Sequence, residues 1–227
     1  MTPAAGRGTP RAAYSVDLVL LAPRDGALHL LVERAGGARS AFQLPWALPK
    51  GVESLTLAAR SLARRRAGAD PGWMEQLHAF GDPSRHPGQT AVSIAYVGVV
   101  NAPAAKGRLA ASAAWVPVAS AGLTGRHATV LSAALEALRH RLDVAPIAFK
   151  LLPATFTLSE LQGMYELLLG WPLHKASFRR SLQAAYLVEP TDEWRSEGRG
   201  RPAQLYRYSP RKRRRSRRGV RFDVLGQ

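Results

Sequence analysis

Two apolar runs, Val16 to Ala22 and Leu28 to Glu33, flank Arg24-Asp25-Gly26, whose Asp-Gly pair is the signature of a tight hairpin. They predict two antiparallel strands. Further on, Thr90 to Val100 is a long β-branched run and Ala113 to Val118 a shorter one. Between these strands the pattern predicts a helix from Ser54 to Ala67, closed by Gly68, and later a second helix from about His127 to Leu142. Strands around an inserted helix, without strict strand-helix-strand alternation, indicate an α+β domain.

The pattern changes after residue 150. Thr157-Leu158-Ser159-Glu160 has capping-box spacing, so a helix starts here. Leu158, Leu161, Tyr165 and Leu168 recur at helical spacing, and Gly170 with Pro172 ends the run. A second helix from about His174 to Ala185 places Phe178, Leu182 and Ala185 on one side and Ala176, Arg179, Arg180 and Gln183 on the other. Leu187 to Pro190 and Ala203 to Tyr208 read as paired strands, with Arg195 to Pro202 as the turn. Capped helix, turn, basic helix and basic hairpin is the plan of a winged helix that binds DNA.

That plan names candidate contacts. Lys175, Arg179, Arg180 and Gln183 supply donors for base edges and phosphates, and Ser177 is small enough for close approach. In the wing, Arg199 and Arg201 suit a minor groove or a line of phosphates, with Gln204 beside them. Each arginine alone is also what a solvated helix face carries; it is the order of elements that favours DNA.

Composition sharpens this picture. The 227 residues carry a formal charge of +16, include no cysteine and are 46% hydrophobic, enough for a sizeable core in two domains. Residues 1 to 150 hold 17 basic and 9 acidic groups, residues 151 to 200 hold 5 and 6, and residues 201 to 227 hold 10 and 1. The run from Arg211 to Arg218 repels itself and has nothing apolar to bury, so a disordered tail is expected. Such a tail binds phosphates by counterion release, although an anionic membrane surface or a mere appendage also fits; the adjacent wing favours DNA. The absence of cysteine excludes disulfides and thiolate metal ligands, and no apolar run is long enough to span a membrane. The chain is expected in the cytoplasm.

Leu48-Pro49-Lys50-Gly51, Glu53, Ala58-Ala59-Arg60 and Gly68 resemble the Nudix box, a loop-helix-loop that gathers glutamates around magnesium and a diphosphate. Matched backward from Gly68, the motif's arginine falls on Ser61 and its three helical glutamates fall on Leu62, Arg65 and Arg66, which share one helix face. Glu53 alone keeps a carboxylate. Such a face repels the metal, so hydrolysis by the family mechanism is not expected, and no cofactor or metal is expected either. Three readings of the arginines stay open: contact with a phosphate, a solvated basic face formed by Arg64, Arg65 and Arg66, or an addition to the DNA footprint.

Both halves together are more specific. Gly81 to Pro87, Val92 to Tyr96, Pro146 to Phe149, Phe156 to Gln162, Phe178-Arg179-Arg180 and Gly200 to Tyr206 resemble the Nudix-related transcriptional regulators of NAD metabolism. The resemblance implies a flexible segment 1–13, a degenerate Nudix-like α/β sandwich at 14–143, a winged helix-turn-helix at 144–209 and the basic tail at 210–227. It also implies a homodimeric repressor on a palindromic operator, whose first domain senses a nucleotide such as ADP-ribose. Glu53, Arg65, Arg66 and His127 are the ligand-binding candidates it supplies. Arg126 departs from the family, which tends to carry an acidic residue before that histidine. For His127 itself, helix capping or a surface position is the preferred reading over ligand contact. None of the six histidines has a metal-binding neighbour at helical spacing. A Nudix-type hydrolase using Glu53, or a constitutive architectural DNA binder, are the competing functions.

Overall fold

A computed structural model describes residues 14–35, 42–49, 53–81, 86–196 and 202–209. The expected N-terminal segment and basic tail, Lys50 and Gly51, and the wing arginines Arg199 and Arg201 lie outside these residues.

The first two strands are β1 (Tyr14–Arg24) and β2 (Ala27–Arg34), and Asp25 and Gly26 between them both take positive φ, as a two-residue hairpin turn requires. Two short strands follow, β3 (Phe42–Gln43) and β4 (Trp46–Ala47), then helix α1 (Leu55–Ala67), β5 (Trp73–Phe80), β6 (Val92–Val99) and β7 (Ala113–Pro117). One sheet contains all seven strands, in the order β3-β2-β1-β6-β5, with β4 added to β1 and β7 to β2. β1 and β6 run parallel, from Tyr14 opposite Val92 to Leu21 opposite Val99. β1 is therefore central and buried on both faces, which is why it reads as an unbroken apolar run.

Strand alternation assigns the two faces. Val16, Leu18, Leu20 and Ala22 pack with Ala59, Leu62 and Ala63 of α1, while Val19 and Leu21 meet the other helix, α2 (Gly125–Leu142), through Val130, Ala134 and Leu138. The result is a sheet between two helices. Ser54 caps α1 by accepting the Leu57 amide, and Gly68 ends it at φ 62, where a Cβ would come within 2.7 Å of the Arg108 carbonyl oxygen.

After α2 come a short helix α3 (Ile147–Leu151), strand β8 (Thr155–Phe156), helices α4 (Leu158–Leu169) and α5 (Lys175–Ala185), and strands β9 (Val188–Arg195) and β10 (Ala203–Tyr208). The last two strands pair antiparallel, and β8 joins β10 to complete a three-stranded sheet. Leu138 and Leu142 of α2 belong to the same apolar cluster as Phe149, Phe156, Leu161, Tyr165, Phe178 and Leu182. The core continues without a gap from the first sheet into the helix-turn-helix.

One sequence expectation is corrected here, and one strand was not foreseen. α2 begins at Gly125 with Thr124 as its cap residue, two positions earlier than expected, so His127 neither caps the helix nor lies on the surface; it is buried over β1. β5 escaped prediction because it is a half-exposed edge strand whose register shifts between Gln76 and Ala79, which breaks the alternation a sequence reading needs.

Candidate nucleic-acid interface

The helix-turn-helix is fixed by polar contacts at both ends of α4. At the start, Thr157 accepts the Glu160 amide at 3.1 Å while one Glu160 oxygen accepts the Thr157 amide at 2.7 Å, a complete capping box. At the end, Gly170 takes φ 87, and the Glu166 carboxylate accepts the Leu173 amide and the Gln162 side-chain amide, each at 2.9 Å. Gln162 also donates to the Leu173 carbonyl at 3.0 Å. The turn that launches α5 is therefore held from the helix before it.

α5 docks through Phe178 and Leu182, both buried, with the Phe178 ring 5.5 Å from that of Tyr165. Arg179, Arg180 and Gln183 on the side turned from the core and Lys175 in the first turn are all exposed, and the helix contains no carboxylate. Its cationic charge is thus uncompensated within the helix. Ser177 is half-buried and its hydroxyl lies 3.2 Å from His174 Nδ1.

The wing is anchored to this unit. Arg195 on β9 donates to the second Glu160 oxygen at 2.7 Å, so one carboxylate serves both the α4 cap and the wing. Gln204 is engaged within the hairpin: its amide donates to the Thr191 carbonyl at 3.4 Å and its oxygen accepts from the Tyr206 hydroxyl at 3.4 Å. Trp194, which the sequence reading did not single out, is 57% exposed at the end of β9. A tryptophan next to an arginine-rich stretch of sequence is a signal that could have raised it.

In the first domain the altered box helix is turned so that its three substituted positions part company. Leu62 is fully buried against β1, Arg66 pairs with the buried Glu33 of β2, and Arg65 is exposed. Burial pushes the Glu33 carboxyl up, against the lowering effect of Arg66. Arg64 and Arg60 both bond Asp70, at 3.1 and 3.0 Å. Arg64 and Arg65 are exposed and Arg66 half-buried, and two of the three arginines are paired with carboxylates. Glu53 stands half-exposed one residue before the Ser54 cap. A leucine in the core and a neutralised arginine offer a divalent cation nothing, so these residues do not fit the family's magnesium.

On the opposite face, the fold unites Asp17 of β1, His86 and His127, whose ligand atoms lie within 4.8 Å of one another in a buried cluster. His86 Nε2 is 3.2 Å and His127 Nε2 3.6 Å from Asp17 Oδ2, the second too long for a hydrogen bond and so an electrostatic contact. Their other ring nitrogens decide the chemistry. The Leu44 amide donates to His127 Nδ1 at 3.1 Å and the Gly88 amide to His86 Nδ1 at 3.0 Å. A neutral imidazole that accepts at Nδ1 carries its proton on Nε2, so both rings turn N–H groups toward Oδ2. That suits an anion between two donors, not a metal ion. Burial would raise the Asp17 carboxyl, but the close imidazoles of His127 and His86 and the Ser15 hydroxyl, which donates to Asp17 Oδ1 at 2.8 Å, prevail and hold it well below the usual carboxylate range. Arg126, also buried, donates to the Thr90 carbonyl at 3.2 Å and the Ser93 hydroxyl at 3.3 Å. Of the ligand-binding candidates, Glu53, Arg65 and Arg66 belong to the α1 side and His127 to the α2 side of the sheet.

Residues 148–208 match the model of the NrtR DNA-binding winged helix domain. Over 212 residues the chain is 30% identical to an Acinetobacter baylyi protein described as an ADPR responsive transcriptional repressor, NtrR, covering 88% of this chain and 83% of that protein. The chain belongs to the NrtR family. The crystal structure of Shewanella oneidensis NrtR complexed with a 27mer DNA superposes with a TM-score of 0.72 at 28% identity, over 87% of this chain and 94% of that one. A MutT/nudix family protein from Enterococcus faecalis, 18% identical, matches with a TM-score of 0.65 over 89% of both chains, a likeness of fold alone. A Nudix-like domain followed by a winged helix is thus the NrtR architecture of this chain. Among the described residues no helix is long and apolar enough to cross a membrane.

Proposed function

We propose that this chain is a DNA-binding transcriptional repressor, acting as a homodimer, whose Nudix-like domain senses ADP-ribose or a close nucleotide without hydrolysing it. The observation that carries this reading is the uncompensated cationic face of α5, set on a capped and braced helix-turn-helix. Lys175, Arg179, Arg180 and Gln183 contact the duplex, Ser177 permits close approach, and Arg199 and Arg201 extend the contact along the wing, with Gln204 supporting the hairpin from within. The described identity of the Acinetobacter relative and the DNA complex of the Shewanella protein support the partner and the effector.

The sensing domain is not an enzyme on this reading, because α1 presents Leu62, Arg65 and Arg66 where magnesium needs oxygen ligands. Glu53 and Arg65, on the α1 side, are the candidates for a nucleotide, whereas Arg66 is paired with Glu33 and His127 is buried on the α2 side. The test is a gel shift on duplexes from the region upstream of its own gene at two salt concentrations, with and without ADP-ribose. A discrete complex that survives the higher salt and weakens with the nucleotide is expected; release of AMP from ADP-ribose in magnesium or manganese, with indifference to every duplex, overturns the proposal.

A further inference from the structure

Arg139 sits near the end of α2, where a surface arginine would ordinarily reach into water. Here its Nε donates to the Leu169 carbonyl at 3.0 Å, and its guanidinium carbon lies 5.6 Å from the centre of the Trp171 ring. Leu169 is the last residue of α4, so this carbonyl has no partner in its own helix and sits at the negative end of the helix dipole. Gly170 and Trp171 begin the turn into α5. A Cβ added at Gly170 would lie 3.5 Å from the Arg139 guanidinium, which shows how closely the side chain covers the turn. Gln162 and Glu166 hold the far end of the same turn, at Leu173, from within the helix-turn-helix. Arg139 holds its near end from the first domain.

The other end of α2 is fixed just as firmly. Arg126 and His127, in its first turn, reach Thr90, Ser93, Asp17 and the Leu44 amide, which is the polar centre of the first domain. An 18-residue helix is about 27 Å long. One continuous rod therefore joins the buried polar cluster beneath the first sheet to the turn that aims α5, and Leu138 beside Arg139 packs into the shared core.

We infer that Arg139 is the positioning residue through which the state of the Nudix-like domain is passed to the recognition helix. This rests on the repressor reading above. A shift of α2 driven by nucleotide binding moves the guanidinium, and with it the Leu169 carbonyl and Trp171; the orientation of α5 follows, because its launching turn is gripped from both sides. A ligand changes affinity only by binding one arrangement better than the other, and Arg139 makes the two ends of α2 parts of the same arrangement.

The test uses the full chain, a fluorescein-labelled duplex from upstream of its own gene, and ADP-ribose. In the unchanged protein the nucleotide weakens duplex binding by about fivefold or more. Arg139→Ala keeps its calorimetric affinity for ADP-ribose and, whatever its ligand-free duplex affinity, the ratio of its duplex affinities without and with the nucleotide falls below about twofold. Arg139→Lys, which retains a donor for the Leu169 carbonyl, recovers part of the effect. An alanine variant that melts earlier yet responds to ADP-ribose in full makes Arg139 a brace only and overturns the inference. Absence of any nucleotide effect in the unchanged protein overturns the sensing reading itself, and coupling through Arg139 with it. A full effect in both proteins strikes the coupling alone.

Discussion

Asp17 shows what a single residue position can and cannot disclose. A carboxylate inside a continuous apolar strand is a buried charge that must find partners, so its presence in the sequence already implies a polar centre. Its partners, His86 and His127, come from segments far along the chain and have no spacing pattern that could name them. Only the fold brings them together. For His127 the reason is smaller: the helix starts at Gly125, so His127 is a first-turn residue on the same buried face as Val130, Ala134 and Leu138 instead of a cap. Asp17→Asn replaces an acceptor flanked by two N–H groups with an amide that presents donors to one of them, and is expected to cost about 2–3 kcal/mol in urea unfolding. The pH dependence follows from the direction of the shift. A carboxyl held below its unfolded value contributes stability above about pH 4, which is lost as pH falls toward its folded value. The unchanged protein should therefore lose stability through this acid range more steeply than Asp17→Asn, as equilibrium melts between pH 5 and 2 would show.

At the scale of elements, what was legible was what carries its own punctuation. α1 and α4 were readable because Ser54 and Thr157 cap their starts and Gly68 and Gly170 take the left-handed conformation at their ends. β5, with its bulge and half-wet faces, and the two-residue strands carry no such marks, and the tertiary sheet alone defines them. The cationic side of α5 was visible as a periodicity, whereas the Glu160 carboxylate's double role, cap and wing anchor, required the hairpin to fold back on α4. Thr157→Ala removes one side of the capping box and is expected to lower stability by about 1 kcal/mol without changing the salt dependence of DNA binding. Arg179→Ala with Arg180→Ala should do the reverse. Stability stays near that of the parent, because both side chains are exposed, while the slope of log affinity against log salt becomes shallower by about 2 if each neutralises one phosphate. An unchanged slope in fluorescence anisotropy titrations would remove α5 from the interface.

At the scale of the whole molecule, the boundary between the two domains is a boundary of chain topology and not of packing. The resemblance of residues 148–208 to a winged helix domain suggests a module, and the sequence reading placed its start at 144. The apolar cluster does not stop there: Leu138 and Leu142 on α2 are enclosed by the same group that contains Ile147, Phe149, Tyr165 and Leu169. Cutting at 144 would expose that surface and remove the Arg139 contact to Leu169 as well. A three-helix unit with a small sheet has little core to spare, since short chains bury a smaller fraction of their surface. The fragment 144–209 is therefore expected to melt at a lower temperature and less cooperatively than the full chain by circular dichroism, and a fragment starting at residue 125, which restores α2, is expected to regain part of the difference. If the shorter fragment melts as the full chain does, the shared core is not a stabilising one. The physical basis for passing a signal from the sheet to α5 would then have to lie in polar contacts alone.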